Sequence, residues 1–357
     1  MLRRPLALFF AFALAGCAAQ PARLASVPKP DWAFQQSDLA PDPAFRFGKL
    51  DNGMRFIIRH NATPPGTASV RLDIAAGSLD EREDERGFAH FVEHMAFNGS
   101  THVPEGEMVK VLERAGLSFG ADTNAQTSFD QTLYQLDLPR NDPALLDTAL
   151  MLLRETAGEL AFDPQAVARE KGVVLSELRD GQGYALDNLK DQIAFLYPKA
   201  TYPRRLPIGT AATVGGASAA ALKAFWAREY VPAKATLVVV GDFDADTVEQ
   251  AIRARFADWQ PAPPAPRPGE GKVLPRQKGK TDVWIDPALS ERITASRHGP
   301  WHDEPDTVAV RRVKLLRQIG YGVVNRRFLR MSRAVSPPFR GAGLGTSDVF
   351  KIGRTTA

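Results

Sequence analysis

Two histidines four residues apart, with a glutamate beside the second, set the strongest constraint on this chain: His90-Phe91-Val92-Glu93-His94. The surrounding run from Gly87 to Phe97 has no proline and no internal glycine, and its apolar residues recur at helical spacing. That pattern predicts a helix. On a helix, residues four apart sit one turn up the same face, with Cβ atoms roughly 5–6 Å apart. His90 and His94 then present two imidazoles to one small cation. Glu93, next to His94, reaches water bound to that cation. Imidazole nitrogens suit zinc, and a catalytic zinc keeps one position open for water.

A zinc held by two imidazoles needs a further protein ligand. The chain has a single cysteine, Cys17, so no thiolate is on offer in the folded part and a carboxylate is the natural choice. Glu170 and Glu177 are the candidates. They are seven apart on a predicted helix, share one face, and lie about 10 Å apart along its axis. One of them touches the ion, and the other orients a ligand or the substrate. The remaining histidines read differently. His60 follows a strand, and His102 lies in a Ser-Thr-His-Val-Pro loop. His298 and His302 flank Pro300, which rules out a regular helical pair.

Cys17 has its own context. Met1-Leu2-Arg3-Arg4 is a short basic region, and Pro5 to Ala15 is apolar but too short to span a bilayer. Leu14-Ala15-Gly16-Cys17 resembles the lipobox of bacterial lipoproteins. The resemblance implies a signal peptide over 1–16, cleavage before Cys17 and its acylation. Ala18 resembles the sorting signal for the outer membrane, which places the protein lipid-anchored on the periplasmic side of that membrane. A plain signal peptide would instead leave it soluble in the periplasm. The net charge of +4 is spread without any basic block, so nucleic acid is not an expected partner.

In chain order, 17–44 is rich in Pro, Ala and Ser and reads as a flexible tether. Phe45 to His60 reads as a hairpin around Asn52-Gly53. Thr67 to Ala75 alternates as a strand, and Arg82 to Arg86 is a charged run leading into the His90 helix. Helices are expected over Glu105–Ala115 and Pro143–Leu160. Leu117–Leu138 holds two strand-like runs. Asp163-Pro164 caps the helix that carries Glu170 and Glu177. Ser218–Tyr230 and Asp244–Phe256 read as helices on either side of a buried strand, Ala235–Val240. Pro261 to Gly271 holds five prolines and two glycines and reads as a linker. Beyond it, over 272–357, strands are expected at Thr281–Ile285 and Ser347–Ile352. A long basic helix is expected at Val308–Ala334, soft at Gly320 and Gly322. The last strand would present an unpaired edge.

The order His90-x-x-Glu93-His94 is the inverzincin signature. With Asn124-Ala125 and then Arg169-Glu170-x6-Glu177, the chain resembles the pitrilysin, or insulinase-like, family of zinc metallopeptidases, most of all its periplasmic bacterial branch. The resemblance implies an α+β fold of repeated sheet-plus-helices domains of the mitochondrial-processing-peptidase type. It implies a catalytic domain over 45–260 and an incomplete second domain over 272–357. It implies one zinc held by His90, His94 and Glu177, with Glu93 as general base and Glu170 as a supporting carboxylate. Asn124 and Ala125 would hold the backbone of a peptide substrate at a sheet edge. The interval from His94 to Glu177 is a few residues longer than the family pattern, which suggests small insertions beside Asn124. The Arg and Tyr that the family's second half brings to the substrate have no assignable counterpart here.

The expected activity is therefore endopeptidase action on peptides or unfolded segments. The alternative is a non-catalytic or incomplete peptide-binding subunit that needs a second chain carrying the C-terminal half. S-ribosylhomocysteine lyase shares H-x-x-E-H but uses a cysteine near its metal, and Cys17 sits in the signal region.

Overall fold

The computed structural model describes residues 30–118, 120, 123–269, 271, 273 and 279–357. The signal region, Cys17 and the tether up to residue 29 lie outside the described residues. The chain runs β1 (Phe45–Lys49), β2 (Arg55–His60), β3 (Ala68–Ile74), α1 (Phe88–Met95), α2 (Glu107–Arg114), β4 (Thr123–Thr127) and β5 (Thr132–Leu138). It continues with α3 (Pro143–Gly158), α4 (Pro164–Asp180), α5 (Tyr184–Leu196), α6 (Ala211–Gly216), α7 (Ala219–Glu229), β6 (Ala235–Gly241) and α8 (Ala245–Phe256). A smaller C-terminal part adds β7 (Arg297–Pro300), α9 (Val308–Ser332), β8 (Thr346–Val349) and β9 (Gly353–Thr356). The fold is α+β.

Six strands form one mixed sheet in the order β1-β2-β6-β3-β5-β4. Only the β2–β6 pair is parallel. The expected hairpin opens it: Leu50 N donates to Met54 O at 2.8 Å across the Asn52-Gly53 turn. Burial alternates along β2, β3 and β5, so one face of the sheet is covered. That face carries Phe56, Ile58, Val70, Leu72, Leu136 and Leu237, and helices close over it with Phe91, Leu150, Phe225, Ile252 and Phe256. Helix α1 is drawn into this core by Phe88, Phe91, Val92 and Met95. Its opposite edge, with both histidines, is thereby turned towards α4. Asp163 caps α4 as expected, its side chain accepting from Gln165 N and Ala166 N at 2.9 Å.

Several sequence expectations need correction. The tether is not free over its described part: the rings of Trp32 and Phe34 lie 5.0 and 4.7 Å from that of Phe47, and Asp31 pairs with Lys49. These aromatic contacts outweigh the Pro-rich composition. Thr281–Ile285 is not a strand; Val283 and Ile285 are exposed and no neighbouring strand pairs with them. His298 lies in β7 rather than in a loop. The strand read as Ser347–Ile352 stops at Val349, and β9 follows after a tight turn at Phe350 and Lys351, both at positive φ. β9 pairs with β7 and β8 on its two sides, so the chain does not end on an unpaired edge. Such a turn is usually written with Asn or Gly, so the sequence carried no signal for it. Helix α9 runs unbroken through Gly320 and Gly322.

Residues 261–269 form neither helix nor strand, yet Gly269 O accepts from Thr201 Oγ1 and Arg267 pairs with buried Asp80. The small sheet β7-β9-β8 seats Ile352 against Tyr197, Ile193 and Leu79. No residue of α9 is buried, and Leu315, Leu316 and Ile319 are more than half exposed. Among the described residues no helix is long and apolar enough to cross a membrane.

Candidate metal centre

The centre is built where α1 meets α4 and the edge strand β4. Helix α1 starts at Gly87, whose φ of 95° is left-handed. A Cβ there would meet Val214 Cγ2 at 2.9 Å and Gly209 Cα at 3.0 Å, so a side chain is excluded twice over. From that start, one helical turn separates His90 and His94, whose Nε2 atoms lie 3.2 Å apart. Glu177 Oε2 lies 3.6 Å from His90 Nε2 and 3.5 Å from His94 Nε2. Among the described residues these three side chains form the one group of three or more His, Cys, Asp or Glu able to share an ion.

The donor set fits zinc. Ligand bonds of about 2.0–2.2 Å at tetrahedral angles put neighbouring donor atoms roughly 3.3–3.5 Å apart, close to the three spacings just given. Two imidazole acceptors facing each other and one carboxylate form a cradle for a cation, since neutral ring nitrogens have nothing to donate to one another. The second nitrogen of His94 is held: Nδ1 lies 2.6 Å from Glu170 Oε1, which fixes Nδ1 as the protonated atom and leaves Nε2 as a lone pair. Asn98 Nδ2 donates to His94 O at 2.9 Å, and its side chain also bonds Glu170. His90 Nδ1 is buried with no partner.

Electrostatics agree with a neutral His90 beside an ionised Glu170. Burial, reinforced by His94, lowers the His90 pKa to about 4. Burial also works against charge on His94, but the Glu170 hydrogen bond and the surrounding carboxylates outweigh it and raise its pKa. The His94 hydrogen bond lowers the Glu170 pKa. A bound cation would favour neutral His94 as well. Glu93 is turned inward beside the cradle, and burial raises its pKa even though Thr127 donates to its Oε2 at 2.5 Å. A carboxylate with a raised pKa, held against a metal cradle, suits proton transfer near neutral pH.

The structure thus brings together His90, His94, Glu93, Glu170 and Glu177. Glu177 faces both Nε2 atoms, whereas Glu170 faces the back of one ring. Asn124 and Ala125 lie on β4, the outer strand beside β5, and among the described residues no strand pairs with its far edge. Asn124 is exposed, and its Oδ1 accepts from Ala125 N at 2.9 Å. Cys17 lies outside the described residues. Sequence reasoning missed Thr127 and Asn98. Thr127 meets Glu93 only through the packing of β4 on α1, across 34 residues, and no spacing announces that. Asn98 lies one turn beyond His94, and a one-turn check along α1 would have found it. Three of the other four described histidines have different side-chain partners: His60 bonds Phe243 O, His102 bonds Glu155, and His298 bonds Thr355.

Comparison with known proteins gives a consistent result. Residues 56–198 match the family model described as insulinase, peptidase family M16, and residues 216–310 match that described as the peptidase M16 inactive domain. A "Zinc protease PQQL-like" of Arabidopsis thaliana is 32% identical over 296 residues, which cover 82% of this chain and 31% of the relative. The "Probable zinc protease PqqL" of Escherichia coli K12 is 35% identical over 228 residues, 64% of this chain and 24% of that protein. The crystal structure of the first half of the periplasmic protease PqqL from Escherichia coli superposes with a TM-score of 0.77 at 26% identity, covering 89% of this chain and 68% of that one. A ferredoxin protease, FusC, solved with Arabidopsis ferredoxin, gives a TM-score of 0.75 at 25% identity, covering 87% of this chain and 34% of that one. The chain spans about a quarter to a third of the length of these two curated relatives.

Proposed function

Because the chain belongs to the insulinase family, peptidase family M16, we propose that it is a zinc-dependent endopeptidase acting on peptides or unfolded polypeptides. The observation that carries this reading is the triangle of His90 Nε2, His94 Nε2 and Glu177 Oε2, with spacings of 3.2–3.6 Å, and Glu93 buried beside it. His90, His94 and Glu177 hold one zinc. Bound there, zinc supplies Lewis acidity, polarising the scissile carbonyl and lowering the pKa of water towards about 7. Glu93 accepts the proton of the attacking water and passes it to the leaving amine. Thr127 orients the Glu93 carboxylate. Glu170 holds the His94 ring so that Nε2 faces the cradle. The open edge of β4, at Asn124 and Ala125, takes the substrate backbone as an added strand.

The division between the two α4 glutamates is the test. Glu177→Gln is expected to weaken zinc affinity by about a hundredfold, one ligand's share of a site worth ~10–16 kcal/mol over four ligands. Glu170→Gln is expected to weaken zinc binding by no more than about tenfold, the low end for a partner that only orients a ligand, and to lose most peptide cleavage. Chelator competition and a cleavage assay on each variant read this out. Intact affinity in Glu177→Gln, with zinc lost in Glu170→Gln, would reverse the assignment.

A second reading is favoured by one observation: the face of α9 that carries Leu315, Leu316 and Ile319 is uncovered. On this reading the polypeptide binds peptides and needs a further half, on the same or another chain, for cleavage. The likeness to the first half of the periplasmic protease PqqL from Escherichia coli supports a two-half arrangement. We further propose periplasmic placement by a lipid on Cys17. Cys17→Ser is expected to leave an unprocessed precursor without label from radioactive fatty acid. Label on that variant would refute the anchor.

A further inference from the structure

Helix α1 is only eight residues long. A helix this short is marginal by itself, and its first N–H groups have no partner within the helix. His90 is its third residue, so the ligand geometry depends on the first turn staying closed. A helix of this kind usually takes an Asp, Asn, Ser or Thr at the N-cap, whose side chain accepts from the second or third N–H. Here the N-cap is Gly87, and its left-handed backbone and the crowding by Val214 and Gly209 forbid a side chain. Another residue has to do the work.

Glu81 is fully buried, and its Oε1 accepts from Gly87 N at 3.0 Å and from Ala89 N at 2.9 Å. Ala89 is the second residue of the helix, the one a normal cap would serve. The backbone of Glu81 is itself pinned: Arg205, also buried, donates Nε to Glu81 O at 3.2 Å, and Ser78 Oγ donates to Arg205 O at 2.5 Å. Oε2 of Glu81 is buried without a partner. A carboxylate kept in so dry a place, with one oxygen unserved, is costly. Burial raises its pKa well above the ordinary range, and only the two amides and Arg205 pull it back. Surface chemistry offers no reason for a glutamate there, whereas the two amides do.

We propose that Glu81 is a positioning residue for the metal centre: it caps α1 from the preceding loop and so fixes where His90 stands relative to His94. The inference rests on the zinc-peptidase reading and deepens it. It adds a requirement seven residues upstream of the first residue of the helix, in a side chain that touches neither the ion nor the substrate.

The experiment uses the 357-residue chain and three variants, Glu81→Ala, Glu81→Gln and Glu81→Asp. Glutamine keeps an acceptor oxygen at the same reach. Aspartate keeps the carboxyl group but is one methylene shorter. Three readouts are taken: zinc dissociation constant by chelator competition, the visible spectrum of the cobalt-substituted protein, and amide hydrogen exchange at Gly87 and Ala89 in the metal-free protein. Glu81→Ala and Glu81→Asp are expected to bind zinc about tenfold or more weakly, to shift the cobalt bands, and to exchange faster at Gly87 and Ala89. Glu81→Gln is expected to follow the wild type in all three. A change confined to global stability would move none of the cobalt bands of the folded protein. If Glu81→Ala does not fold, the Asp and Gln variants decide. Aspartate matching the wild type, or glutamine behaving as poorly as alanine, overturns the inference. If the wild type takes no zinc at all, the peptidase reading falls, and the cap is judged by exchange in the metal-free protein alone: unchanged exchange in Glu81→Ala or Glu81→Asp sinks it.

Discussion

Glu93→Gln is expected to bind zinc as tightly as the wild type and to cleave peptides at least a hundredfold more slowly. The amide can still accept the Thr127 hydrogen bond, now 2.5 Å long, and has nearly the shape of the carboxylate it replaces. What it lacks is basicity. A positioned general base contributes about 10²–10⁴-fold, or roughly 3–5 kcal/mol of barrier at 1.36 kcal/mol per tenfold. The loss should fall on kcat and on kcat/KM alike, since proton transfer is made only in the transition state. Zinc content measured on the same sample separates this from metal loss. Retained cleavage at full zinc occupancy would mean that the base lies elsewhere.

The second large effect concerns the imidazoles. His90→Ala or His94→Ala should each weaken zinc binding about a hundredfold, and the double variant by about ten-thousandfold, if the ~10–16 kcal/mol of a four-ligand site divides evenly among its ligands. Zinc should also raise the melting temperature of the wild type, because an ion bound only to the folded state stabilises it by RT ln(1 + [Zn]/Kd). The metal-free cost of the two rings sharpens the contrast. His90 is held at a pKa of about 4 by burial, and its Nδ1 has no partner. The ring thus brings little to the stability of the empty site, so His90→Ala should change the metal-free melting temperature far less than the zinc-induced rise. Thermal unfolding with and without zinc, on wild type and double variant, checks this. A zinc-induced rise of equal size in the double variant would place the ion somewhere else.

What the sequence made legible was local. The β1–β2 hairpin followed from Asn52-Gly53, and the start of α4 from Asp163-Pro164, because turn and cap chemistry act over two or three residues. Helix α1 followed from apolar spacing, and with it the pairing of His90 and His94. Helix α5 was not read, since only Ile193 on it is buried and no apolar stripe marks it. Thr281–Ile285 has a strand's composition, yet in this structure no neighbouring strand pairs with it. At the centre, spacing alone put Glu170 and Glu177 on one face of α4 and could not choose between them. The resemblance favoured Glu177, and the closeness of its Oε2 to both Nε2 atoms, 3.6 and 3.5 Å, supports that choice. Glu81 and Thr127 escaped notice for another reason. Glu81 sits just before the charged run of Arg82 to Arg86, where nothing sets it apart, and Thr127 is an ordinary strand residue. Their roles exist only once β4 and the loop before α1 are packed against that helix.

The central claim is that one zinc sits between α1 and α4 on two imidazoles and a carboxylate. Zinc-edge X-ray absorption on the purified 357-residue chain, loaded with one equivalent of zinc, tests it most directly. The account predicts scattering from two imidazole rings with nitrogens at about 2.0–2.1 Å and from oxygens at about 2.0–2.2 Å, with the imidazole signal lost in the His90→Ala, His94→Ala double variant. A sulfur shell, an all-oxygen sixfold site, or an unchanged spectrum in the double variant would contradict it.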